Sequence, residues 1–143
     1  MKKYITMAAV LALASLMWSG CATAPKHGMS ALQGTWKGHE LSGQMGECQM
    51  TVSGDHVKVQ NTRGDEWYEG KLTLLEGTSP KQAVLLVEGC NAPQYVGKTS
   101  RVIYKLEGNL LTMAGCEPGF DTVPTAFESS EASRSRGFVF TRQ

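Results

Sequence analysis

From residue 32 onward the chain alternates apolar and polar side chains in eight short runs, and nowhere carries the three-or-four spacing of a buried helix face. The runs span residues 32–40, 48–53, 56–61, 66–75, 82–88, 100–107, 110–115 and 137–142. Between them lies turn chemistry: Ser53-Gly54-Asp55-His56, Glu107-Gly108-Asn109, and Gly77-Thr78-Ser79-Pro80. Trp36, Met50, Tyr68, Tyr104, Phe138 and Phe140 fall on one parity with the valines, whereas Lys37, Gln49, Lys58, Lys71, Arg101 and Lys105 take the other. One dry face and one wet face, without room for crossover helices, predict an all-β fold, an eight-stranded up-and-down antiparallel barrel that closes its own edges.

Connection lengths give such a barrel two unlike ends. The turns after strands two, four and six are short, so that end is closed. The connections 41–47, 62–65, 89–99 and 116–136 are mostly longer and ring an open mouth. The last is expected to carry a short helix beginning near Pro124 and Thr125. Residues 83–87 are apolar on both faces, which predicts a loop covering the outer one.

The N-terminus reads as an address. Lys2 and Lys3 precede an apolar run, residues 5–18, that is too short to span a bilayer comfortably and has the length of a signal-peptide core. Trp18-Ser19-Gly20-Cys21 resembles the lipobox of bacterial lipoproteins, with Trp18 where the pattern normally has Leu. The rival cleavage pattern, Ala22-Thr23-Ala24, is followed by Pro25, a poor context for ordinary signal peptidase. The expected division is a signal peptide over 1–20, a lipidated tether over 21–30 beginning at Cys21, and a barrel domain over 31–143. Ala22 rather than an acidic residue after the cysteine resembles lipoproteins sorted to the outer membrane. A lipid bilayer reached through palmitate-type acyl chains is thus one expected partner. Without the first twenty residues, 12 basic and 13 acidic side chains remain and no basic run stands out, so nucleic acid is not expected as a partner.

With Cys21 acylated, Cys48, Cys90 and Cys116 remain, an odd number for an oxidising compartment. The strand assignment puts all three at the open rim, and the expectation is one disulfide, Cys90 with Cys116 first, although strand six intervenes. A soft metal site formed by the thiols and His39 is the sharper alternative, but no CxxC or HxxxH spacing supports it and no metal or other cofactor is expected. No G-x-S-x-G, H-E-x-x-H or phosphate-cradling glycine loop is present, so no catalytic residue is assigned and an enzyme is not expected. Glu66, Glu69, Glu117 and Asp121 are the carboxylates placed near the rim. Trp67 has outward parity and could mark a partner surface.

Leu32-Gln-Gly-Thr-Trp36, Gly54-Asp55-x-Val57-x-Val59, Tyr68-Glu69-Gly70, Tyr104-x-Leu106-Glu107-Gly108-Asn109-x-Leu111, and Pro124-Thr125-x-Phe127 ahead of Phe138-Val-Phe-Thr-Arg142 occur in a series. The series resembles the lipocalin-like domain family of uncharacterised bacterial proteins expanded in planctomycetes. The resemblance implies a lipocalin-like barrel and no established activity; Cys48, Cys90, Cys116 and Asn91-Ala92-Pro93 fall outside it. The functional expectation is therefore a periplasm-facing lipoprotein that binds a small apolar ligand through Trp36, Met50, Tyr68, Tyr104, Phe138 and Phe140. Trp36 is also expected to pack across the closed end. The alternative is an envelope-protein partner held by loops 41–47 and 116–136.

Overall fold

The computed structural model describes residues 28–143, and the expectations for the signal peptide, Cys21 and most of the tether lie outside the described residues. Eight strands form one closed barrel: β1 (Gly34–Glu40), β2 (Glu47–Ser53), β3 (His56–Asn61), β4 (Trp67–Leu75), β5 (Lys81–Cys90), β6 (Thr99–Glu107), β7 (Leu110–Cys116) and β8 (Ser135–Arg142). Every neighbour is antiparallel, and β8 returns to pair with β1. The parity predicted the two faces: Trp36, Met50, Val57, Val59, Leu72 and Phe140 are buried, while Lys37, Gln49, Lys58, Lys71 and Lys105 are exposed.

The β2–β3 and β6–β7 hairpins each turn on two residues, Gly54-Asp55 and Gly108-Asn109. Their glycines take φ of 63° and 61°. A positive φ confined to the first turn position belongs to the hairpin turn whose twist matches the flanking strands. At Gly38 the need for glycine is steric, because an added Cβ would lie 1.8 Å from the Val139 carbonyl oxygen on β8.

Residues 29–32 depart from the expected strand and tether. Met29–Leu32 forms one helical turn, α1, which takes in Met29 and Ser30 and brings Leu32 into the core. The indole nitrogen of Trp36 donates to the Leu32 carbonyl at 2.9 Å. The Arg142 guanidinium, 4.1 Å from the Trp36 ring, donates to the carbonyls of Ala31 and Gln33 at 2.6 Å each. Carbonyls at a helix C-terminus have no partner inside the helix, and here the last residue of β8 supplies one. The Gln33 side chain exchanges two 2.8 Å hydrogen bonds with the Gly54 backbone, tying α1 to the β2–β3 turn. The barrel is thus closed at this end.

The helix expected near Pro124 is absent. Pro124 is buried in irregular chain, and Phe127 lies against Lys105 on the outside of β6. Ile103 and Ala114, which pair across β6 and β7 and point outward, are fully buried on that side. The outer face that is covered is therefore that of β6 and β7 rather than β5, where Leu86 stays exposed. Proline also biases Val123 toward extended backbone, which suits a segment laid along a sheet.

Candidate ligand-binding cavity

Above the closed end the barrel is hollow. A cavity of about 620 Å³ opens at the mouth between the β1–β2, β3–β4, β5–β6 and β7–β8 connections. Its lower walls are apolar, made by Met50, Val57, Val59, Leu72, Val87 and Phe138 among others, because these are the inward positions of each strand. The aromatic side is ordered by contact: Tyr68 meets Phe138 edge to face at 6.4 Å, and Phe138 stacks on Phe140 at 5.7 Å.

The six residues expected to contact a ligand are at different heights. Met50, Tyr68 and Phe138 line the cavity. Tyr104 faces only a much smaller void beneath it. Trp36 and Phe140 line neither and are wholly buried below, so their place is in the barrel's packing. Burial pushes the Tyr68 phenol up from its ordinary range, and among the described residues no hydrogen bond holds its proton. It is a polar group in an otherwise apolar wall, the pattern that orients a bound molecule. Burial likewise raises Tyr104.

Around the mouth, three carboxylates are paired with arginines. Glu66 meets Arg136 at 3.1 Å and Glu117 meets Arg134 at 3.4 Å. Tyr95 donates to Glu117 at 2.9 Å, a hydrogen bond that raises the phenol. Asp121 meets Arg101 at 2.6 Å, and Glu69 lies outside beside His56 and Lys58. The rim carboxylates thus do not face one another as a dyad. Trp67 is half-buried, with its ring against Gly89 and the Lys58 ammonium 5.4 Å from its centroid, rather than standing free as a partner surface.

The sequence reading missed Glu40. It ends β1 on the inward parity, 1 % exposed, with no cation beside it. Its carboxylate accepts from the Ser42 amide (2.9 Å), the Ser42 hydroxyl (2.6 Å), the Gln44 amide (3.1 Å) and the Ser129 hydroxyl. Burial raises its pKa, but the hydrogen bonds from Ser129, Ser42 and the Met45 backbone outweigh burial and hold it at about 2. Ser129 also bonds the Gly137 amide at 3.0 Å, so one carboxylate joins the β1–β2 loop to the long β7–β8 connection.

The three described cysteines are free thiols. Cys90 donates to Ala92, Cys116 to Phe120 and Cys48 to Gly46, each within its own loop. The expected Cys90–Cys116 bridge is not formed. Cys90 lies beyond the last β5–β6 pair, opposite Tyr68, whereas the Cys116 sulfur accepts from the Arg101 amide on β6. A full strand intervenes, roughly 10 Å across two strand spacings, more than the Cα reach of a disulfide. Burial, then the charges of Glu40 and Glu66, push the Cys48 thiol up. His39 is exposed on the outer face, and no group of three or more His, Cys, Asp or Glu that could hold a metal ion is gathered among the described residues.

Comparison with protein-family models, with characterised proteins and with solved structures finds no match. The chemistry of the cavity therefore has to speak for itself. It offers apolar contact below, the Tyr68 phenol part-way up and a polar, charged mouth.

Proposed function

We propose that this chain is a non-catalytic carrier of a small apolar ligand, anchored through Cys21 in the outer membrane with its barrel in the periplasm. The observation that carries the reading is the open cavity of about 620 Å³ with apolar lower walls, a size within the range of small-molecule sites. Burial of the ligand's apolar surface supplies affinity at about 25 cal/mol per Å², and Tyr68 fixes orientation. Family membership in the lipocalin-like group belongs to the same proposal and rests on the motif series.

The test uses the exported protein carrying Cys21→Ser and an apolar fluorescent probe whose emission rises in dry surroundings. Wild type is expected to bind the probe, and Val59→Trp to lose at least about tenfold in affinity, because the indole occupies the cavity instead of overpacking a filled core. Equal probe binding by both proteins, or none by either, would remove the ligand reading.

The rival, an envelope protein docked on the rim, has Leu41, Val96 and Phe120 in its favour, exposed at 38 %, 48 % and 41 % on three mouth loops. It leaves the cavity without a role. A Val59→Trp chain that keeps its cellular role while refusing the probe would favour it.

A further inference from the structure

Below the main cavity lies a second void of about 10 Å³, floored by Leu32 of α1 and faced by Tyr104. The two spaces share four wall residues, Met50, Leu72, Val102 and Met113, so these side chains form the partition between them. Half of that partition is methionine, unbranched and able to change rotamer where a branched side chain is stiff. Met113 is only partly buried, which leaves it room to swing. The lower void is wholly apolar, Tyr104 contributing only carbon to its wall.

The mouth has a sign. Arg134 and Arg136 are each paired with a carboxylate, while Glu40 and Glu131, which also line the cavity, meet no cation among the described residues. A negative ligand head would meet uncompensated like charge there, in surroundings drier than bulk water.

Resting on the ligand reading above, we propose that the cup takes a single-chain amphiphile. Its tail displaces Met50 and Met113 and runs down to Leu32. Its head, uncharged or bearing an ammonium, stays at the mouth. A rigid ring system is confined to the main cavity, whereas a linear chain also reaches the lower void past two side chains that turn aside.

The test is a series of alkyltrimethylammonium ions of increasing chain length, titrated against the bound probe below their micelle-forming concentrations. Wild type is expected to gain about fourfold in affinity per added methylene, the ratio that burial of one CH₂ supports, until the tail reaches the lower floor. In the double variant Met50→Ile/Met113→Ile, similar in volume but stiff, the gain per methylene stops at a shorter chain than in wild type. Ala83→Val fills the lower void from β5 without touching either methionine and is expected to shorten the profile in the same way, which keeps the test open if the double variant folds poorly. Profiles that coincide with wild type in both variants overturn the threaded tail. The matched alkyl carboxylate is expected to bind more weakly than the ammonium at neutral pH, and equal or tighter binding overturns the head assignment. Loss of these ligands together with the probe would instead count against the ligand reading itself.

Discussion

Trp36→Ala is expected to lower stability by about 3–5 kcal/mol, the range for emptying a large buried aromatic site. Trp36 is 0 % exposed, and three elements meet on it: α1 through the Leu32 carbonyl, β8 through the Arg142 guanidinium over its ring, and the inner face of β1. Truncation empties the base of the barrel and leaves the Leu32 carbonyl without its donor. Arg142→Met, which keeps the stem, removes two charge-assisted hydrogen bonds, to the carbonyls of Ala31 in α1 and of Gln33 just after it, and the contact with the indole. It is expected to cost about 2–4 kcal/mol. Since the two residues touch, the double variant should be less destabilised than the sum of the singles. Denaturant midpoints at neutral pH, compared at constant slope, check all three. Given a total stability of about 5–15 kcal/mol for a domain of this kind, Trp36→Phe is the milder control, keeping a ring but not the indole donor. A Trp36→Ala protein within about 1 kcal/mol of wild type would mean that the closed end is held by something other than this cluster.

How much of this was legible beforehand follows from what alternation encodes. Period two separates inside from outside, so the eight strands, their antiparallel order and the two unlike ends were readable from apolar parity and turn residues. Parity is silent about height along the barrel axis. Trp36 and Phe140 share the parity of Met50 and Phe138, yet the first pair is packed below the cavity and only the second lines it. Glu40 could have been found: Trp36, Gly38 and Glu40 share the inward parity, and a carboxylate there must find donors or lose its charge. A glutamate at a strand end ordinarily reads as solvated, which hid it. Its partner Ser129 carried no signal, because the 117–134 connection has no period to read. The cysteines failed for a related reason: their heights along β5 and β7 are set by how far each strand outruns its neighbour, which side-chain pattern does not record.

Acid is expected to remove about 3 kcal/mol of stability through Glu40 alone. Its folded pKa of about 2 lies below the ordinary 4.5, and each unit of such a difference corresponds to about 1.4 kcal/mol. The depressed value fixes the sign: the contribution is fully present above about pH 4.5 and is lost as pH falls from there toward about 2. Glu40→Gln should abolish this part of the pH dependence. It should also cost stability at pH 7, by about 2–4 kcal/mol, because an amide matches the donors of Ser42, Gln44 and Ser129 poorly. Denaturant midpoints of wild type and variant, measured from pH 7 down to about 2, give both quantities. The two curves should converge as the wild-type carboxylate takes up its proton, and parallel curves would show that Glu40 is not held ionised by these serines. Ser129→Ala supplies the independent arm. It leaves the carboxylate its donors from the β1–β2 loop and cuts the link to the β7–β8 connection, so amide exchange should quicken in residues 117–134 more than in the strands. That outcome would make Glu40 the clasp that shapes one side of the mouth, and would tie the barrel's acid stability to access to its cavity.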